Sequence, residues 1–145
     1  MIALLQRVNW AQVRIDQQLH SEISHGLLVF VGIEKTDNEL LADKMLEKIL
    51  ALRVFADNDG KMNLNLQEAS GDLMLVSQFT LAASTDKGLR PGFSSAMPPA
   101  EAQQLYNYLV EVATDRHARV ANGKFGADMK VALENDGPVT FILRS

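Results

Sequence analysis

Gly26-Leu27-Leu28-Val29-Phe30-Val31-Gly32-Ile33 is a continuous apolar run bounded by glycines, without a single polar position. Such a run reads as a strand buried on both faces, so it cannot lie at a surface. The segments before it carry a different period. In residues 10–15, Ala11, Val13 and Ile15 alternate with Gln12, Arg14 and Asp16, the period of two that marks a half-buried strand. Residues 1–8 form another apolar strand, Asp16-Gln17-Gln18 a hairpin turn, and residues 19–23 its return strand.

After residue 35 the period changes. Over residues 36–52, Leu41, Met45, Ile49 and Leu52 share one helical face, with Asp43, Lys44, Glu47 and Lys48 mostly opposite. Thr36 and Glu39 have the spacing of a capping box. Residues 53–56 are expected as a strand that ends at the turn Asp57-Asn58-Asp59-Gly60, and residues 72–80 as a central strand. Residues 82–98, rich in Ser, Gly and Pro, read as a long loop of the kind that is often functional. Pro98-Pro99 opens a second helix, whose stripe is Ala102, Leu105, Leu109 and Val112. Residues 124–133 and 139–143 are the last strands, interrupted at Asn135 to Pro138. Roughly seven strands and two long helices suggest an α+β fold. Its sheet is mixed or antiparallel and barrel-like, with the helices on one side. At 145 residues the whole chain, 1–145, is expected to be a single domain.

Composition excludes several chemistries. There is no cysteine, which rules out disulfides, thiolate catalysis and cysteine-based zinc sites. The three histidines, His20, His25 and His117, lack metal-ligand spacing, and a structural or solvated role fits them better. No P-loop, H-E-x-x-H or G-x-G-x-x-G is present, so neither a metal nor a cofactor is expected. A net charge of −4 argues against a broad nucleic-acid-coating face but leaves room for a small site for an RNA end. No apolar run is long enough to span a bilayer, and residues 1–7 lack the order of a secretory signal. The expected location is cytoplasmic, with no membrane partner.

Two segments stand where an apolar run gives way to a loop: Ser77-Gln78-Phe79-Thr80-Leu81 and Asn135-Asp136-Gly137-Pro138-Val139-Thr140. Neither contains a histidine, a cysteine or a paired carboxylate, so backbone groups and hydroxyls must carry any catalysis. Thr80 has three readings. It could be a nucleophile, although a hydroxyl needs a neighbouring base and none is near in sequence. It could be only a β-branched strand residue. Alternatively, the N–H groups of Phe79 and Thr80 could form an oxyanion hole. Asn135 to Pro138 has the composition of an ordinary turn, yet it splits two strand-like runs. Arg7, Lys87, Arg90, Lys124 and Lys130 are scattered cations, most simply solvated. Residues 87–93 are the best small anion-binding candidate among them.

Taken together these segments resemble the D-aminoacyl-tRNA deacylases of bacteria and eukaryotes, the D-Tyr-tRNA(Tyr) deacylase family. The likeness runs the length of the chain. It includes residues 2–8, Gly26-Leu27-Leu28-Val29, Lys61-Met62-Asn63-Leu64-Asn65, Gly88-Leu89-Arg90-Pro91, and Gly123 with Phe125, Ala127 and Met129, beside the two motifs. The resemblance implies ester hydrolysis at the 3′-terminal adenosine of an aminoacyl-tRNA, releasing a D-amino acid or glycine. It implies a homodimer with active sites at the subunit interface. Ser77, Gln78, Phe79 and Thr80 would line the pocket of one subunit, with the Phe79 and Thr80 N–H groups holding the oxyanion and the tRNA 2′-OH assisting proton movement. Gly137 and Pro138, joined by a cis bond, would reach in from the other subunit as a backbone wall against L-residues, fixed by Arg7. Phe125, Ala127 and Met129 would lie on a strand that contacts the adenosine. Gly92 stands where relatives often carry Ser, which would loosen the loop. Two rival readings are a non-catalytic module that binds RNA or DNA ends, and an esterase acting through a Thr80 acyl-enzyme.

Overall fold

The computed structural model describes residues 1–85 and 88–145. Strand β1 (Ile2–Ile15) is continuous over 14 residues where two separate strands were expected. Its partner explains the continuity. β2 (Gln18–Ile23) and β3 (Gly26–Gly32) lie end to end along it in one antiparallel register, from Ile15 opposite Gln18 to Ile2 opposite Gly32, with a slip between Val13 and Arg14. At the hairpin, Asp16 and Gln17 take φ values of 49° and 66°, both left-handed as a two-residue turn between twisted strands requires.

From β3 onward the pairing becomes parallel. β3 leads through helix α1 (Glu39–Ala51), a short hairpin of β4 (Phe55–Ala56) and β5 (Met62–Leu64), to β6 (Asp72–Ser77) parallel beside it. Helix α2 (Pro99–Arg116) then carries the chain to β7 (Val120–Asn122), parallel to β6. Two successive crossovers in the same direction along the sheet put both helices in one core cluster on the same face. There the Tyr108 hydroxyl donates to Asp43 at 3.2 Å. The cap of α1 is Asn38 and not the expected Thr36: its side chain accepts from the Leu41 N–H at 3.0 Å. In α2 the buried stripe includes Tyr106 and Ala113, whereas Val112 is only half-buried.

β3 is buried on both faces, as its composition requires. Leu27, Val29 and Val31 pack with Leu73 and Leu75 of β6 under the helices. Leu28 points the other way, joining Met74, Val76, Val8, Ala11 and Val13 inside a barrel. The Ser21 hydroxyl of β2 donates to the Asn122 carbonyl of β7 at 2.9 Å, bringing the far edges together. The result is a nearly closed mixed sheet of six strands among the described residues, with the β4–β5 pair standing as a separate two-stranded sheet.

The last strand departs most from expectation. β8 (Lys130–Arg144) is one 15-residue strand antiparallel to the whole of β1. Residues 124–129 are turn and coil, not strand, because Gly126 adopts a left-handed φ of 73°. The expected interruption is a bulge within β8. Gln6 pairs with Thr140 and Val8 with Asn135, so β1 places one residue, Arg7, where β8 has the four residues 136–139. Among the described residues no helix is long and apolar enough to cross a membrane.

Candidate active site

The carboxyl ends of β3, β6 and β7 open at the same end of the barrel, where open sheets of parallel strands commonly bind ligands. β6 stops at Ser77, which pairs with Val31, and the Gln78 N–H donates the last bond of the ladder to the Val31 carbonyl at 2.8 Å. The expected strand through Thr80 instead coils into a 3-10 turn, Phe79–Ala82. Gly32 makes this possible: a Cβ there would sit 2.8 Å from the Leu81 Cβ and 3.2 Å from the Gln78 carbonyl oxygen. The turn therefore packs directly on a strand that has no side chain at that point. The Phe79 and Thr80 amides are the first of the turn, which has no acceptor for them, and among the described residues no backbone carbonyl takes them. Gln78 Nε2 donates to Thr80 Oγ1 at 2.6 Å. The threonine hydroxyl is thus held by an amide, not activated by a base.

Beside this turn lies an apolar cavity of about 730 Å³. Ser77, Gln78 and Phe79 form one wall, Phe93 and Met97 another, and Phe125, Ala127 and Met129 a third. The last three come from the coil after β7, not from a strand. Phe125 rests against Tyr106, ring centroids 6.0 Å apart. The Tyr106 hydroxyl, buried, donates toward the Leu75 and Gly123 carbonyls at 2.8 and 3.3 Å. Burial pushes its ionisation well above the ordinary phenol range, so it remains a donor. Met129 lies over Gly123, where a Cβ would meet its Sδ at 2.7 Å. At the mouth, Phe79 and Phe93 are partly exposed with rings 5.0 Å apart. Phe93 and Met97 are lining residues that sequence reading did not single out as pocket-forming, and Tyr106 stands behind Phe125. Apolar residues in a loop or helix stripe carry no mark distinguishing a cavity wall from core.

Arg7, Gly137 and Pro138 do not line this cavity, and neither does Thr80. The first three make a separate group at the β8 bulge. The Gly137–Pro138 bond is cis and Gly137 takes φ 132°. Arg7 Nε donates to the Asp136 carbonyl at 3.2 Å and lies 2.9 Å from its carboxylate, while Nη1 donates to the Val54 carbonyl at 2.6 Å. Gly137 and Pro138 themselves are exposed.

The remaining candidates separate similarly. Lys87 lies outside the described residues, so the 87–93 reading rests on Arg90, which is exposed. Gly92 exchanges two backbone bonds with Ser84, at 2.8 and 2.9 Å, so the loop is pinned at that glycine. Lys130 pairs with Asp128 at 2.9 Å. His117 Nε2 lies 2.9 Å from the Gly71 carbonyl, and His25 packs edge-on against Phe55. Among the described residues no group of three or more acidic or imidazole side chains is placed to hold a metal.

The sequence model of the D-Tyr-tRNA(Tyr) deacylase family matches residues 4–144. A D-aminoacyl-tRNA deacylase of Cellvibrio japonicus (strain Ueda107) is 59% identical over 143 residues, 99% of this chain and 98% of its own length. One of Glaesserella parasuis serovar 5 (strain SH0165) is 56% identical over 144 residues, 99% of each chain. The chain belongs to the D-Tyr-tRNA(Tyr) deacylase family. It is accordingly an enzyme, a hydrolase of carboxylic ester bonds. Among solved structures, a c-Myc DNA unwinding element binding protein superposes with TM-score 0.96 at 38% identity, covering 100% of this chain and 99% of its own. A probable eukaryotic D-amino acid tRNA deacylase superposes with TM-score 0.86 at 15% identity over 98% of this chain and 97% of its own, sharing the fold.

Proposed function

We propose that this protein hydrolyses the ester of D-aminoacyl-tRNA, and of glycine mischarged on tRNA, and rejects L-aminoacyl esters. The observation that carries the reading is the Phe79–Ala82 turn at the end of β6, which leaves two amides without backbone acceptors beside an apolar cavity. In this reading the unpaired 3′-terminal adenosine enters between Phe125, Ala127 and Met129, where an aromatic face suits stacking. The Phe79 and Thr80 N–H groups then face the ester carbonyl and stabilise its oxyanion. An aminoacyl ester is already activated, so a polarised carbonyl and a water, with the tRNA 2′-OH moving the proton, suffice without cofactor or metal. Thr80 acts through its backbone. A Thr80 acyl-enzyme is disfavoured by the hydrogen bond it receives from Gln78.

The wall against L-residues is Gly137–Pro138, held by Arg7. Because these residues do not line the cavity of their own chain, the reading requires a second copy. Strand β8 supports it: one edge pairs with β1, and the strand exposes Phe141 and Ile142. Long exposed edge strands with apolar side chains are templates for pairing. We therefore read the functional unit as a homodimer with active sites at the interface, acting in the cytoplasm on charged tRNA, each chain a single domain over residues 1–145.

The deciding experiment compares hydrolysis of D-Tyr-tRNA and L-Tyr-tRNA by chelator-treated protein. Loss of the D-ester alone is expected; loss of both would remove the chiral wall. Cleavage of neither would favour a nucleic-acid-end-binding module, the reading for which the likeness to the DNA unwinding element binding protein speaks.

A further inference from the structure

The β8 bulge is closed by a side chain that has no part in the chemistry proposed above. Asn135 Oδ1 accepts from the Val139 N–H at 2.8 Å, and its Nδ2 donates to Thr140 Oγ1 at 3.0 Å. Gln6 Nε2, from β1, donates to the same hydroxyl oxygen at 3.3 Å. One carboxamide thus spans residues 136–138, satisfying a backbone N–H on the far side and tying the bulge to β1 where the regular pairing resumes at Thr140. Arg7 grips only the near side, at Asp136. Gly137 and Pro138, between the two grips, have no partner on β1.

We infer that Asn135 is a positioning residue for chirality discrimination. By fastening Val139 and Thr140 it fixes where the Gly137–Pro138 carbonyls stand, while Arg7 fixes the approach from Asp136. The inference rests on the proposed deacylase reading. Rejection by a backbone wall depends on that wall not yielding, since the L-ester differs from the D-ester only in where its side chain points. A bulge tethered at one end could give way when the L-side chain presses on it. A bulge tethered at both ends could not.

The test is the ratio of kcat/KM for D-Tyr-tRNA over L-Tyr-tRNA in Asn135→Ala, Asn135→Asp and Thr140→Val, with amide exchange at Val139 followed in parallel. Asn135→Ala is expected to lower the ratio about tenfold, the scale of one lost hydrogen bond, and to speed Val139 exchange. Asn135→Asp keeps the acceptor for Val139 and should recover much of the ratio. Thr140→Val should fall between them. A merely structural role would lower thermal stability and leave the ratio unchanged. An unchanged ratio in folded Asn135→Ala overturns the inference, and if that variant does not fold, an unchanged ratio in Thr140→Val does. Wild-type protein that cleaves both esters alike overturns the chiral-wall reading and this inference with it, whereas wild-type protein that cleaves neither overturns the deacylase reading itself.

Discussion

Thr80 separates a side-chain mechanism from a backbone one. Among the described residues its hydroxyl is hydrogen-bonded to the Gln78 amide alone, whereas its N–H belongs to the unpaired start of the turn. Thr80→Ala removes the first and keeps the second. We expect kcat to fall less than tenfold, well short of the ~10²–10³ that losing an oxyanion donor costs; a folded but inactive variant would refute the backbone mechanism. Gly123 offers a second reading at this scale. A methyl group there meets Met129 Sδ at 2.7 Å, and because a thioether end can move, Met129 swings toward the cavity. Gly123→Ala should raise KM for the tRNA ester with little change in kcat, the signature of lost uniform binding. An unchanged KM would place the adenosine elsewhere. Ser77 to Thr80 and Asn135 to Thr140 were visible in the sequence because turn chemistry there interrupts apolar runs. The tether made by Asn135 was not, because the hydrogen bond that the Val139 N–H donates to the Asn135 carboxamide depends on a bulge that only the pairing with β1 reveals.

Between elements, what matters is how β3 and β6 carry the turn. The sequence identified both strands through their apolar runs, and the helices through their 3.6-residue period. It misplaced the end of β6 and the start of β8, since Phe79, Thr80, Phe125 and Met129 are as suited to strands as to turns. Gly32 and Gly126 decide those boundaries. At Gly32 a Cβ would press on the Gln78 carbonyl, which is backbone and cannot swing away. Gly32→Ala should cost about 1–3 kcal/mol of stability by overpacking and lower kcat by displacing the turn; both are read from denaturant titration and single-turnover hydrolysis. Tyr106 ties β6, α2 and the Phe125 coil together. Its ionisation is raised by burial above the ordinary 10.0, so the folded state disfavours the phenolate. Its contribution is complete below about pH 10 and is lost as pH rises beyond that, when the unfolded chain ionises first. Tyr106→Phe should therefore be less stable at neutral pH by about 1 kcal/mol yet show a weaker fall in stability above pH 10. An equally steep fall in the variant would assign the alkaline sensitivity to other groups.

For the molecule as a whole, the cavity and the bulge lie in different parts of one chain. Ser77, Phe79, Phe125 and Met129 converge, while Arg7, Gly137 and Pro138 are gathered on β1 and β8 and do not line the same cavity. In the proposed reading a wall that excludes L-residues has to stand inside the pocket it guards, so that reading assigns it to the pocket of a second copy. β8 supplies the means. Ile142 is 59% exposed and Phe141 40% exposed on its long strand, so a charge placed there opposes pairing at the edge. We expect Ile142→Glu to convert the protein from dimer to monomer by analytical ultracentrifugation without unfolding it. The monomer keeps its amides and adenosine cavity, yet it lacks the wall. Its D-to-L ratio of kcat/KM should therefore collapse toward one, with the loss appearing mainly as gained cleavage of the L-ester. A monomer that still rejects L-Tyr-tRNA would mean that the wall acts within its own chain. The bulge would then have to move some distance from the place it occupies between Gln6 and Val8.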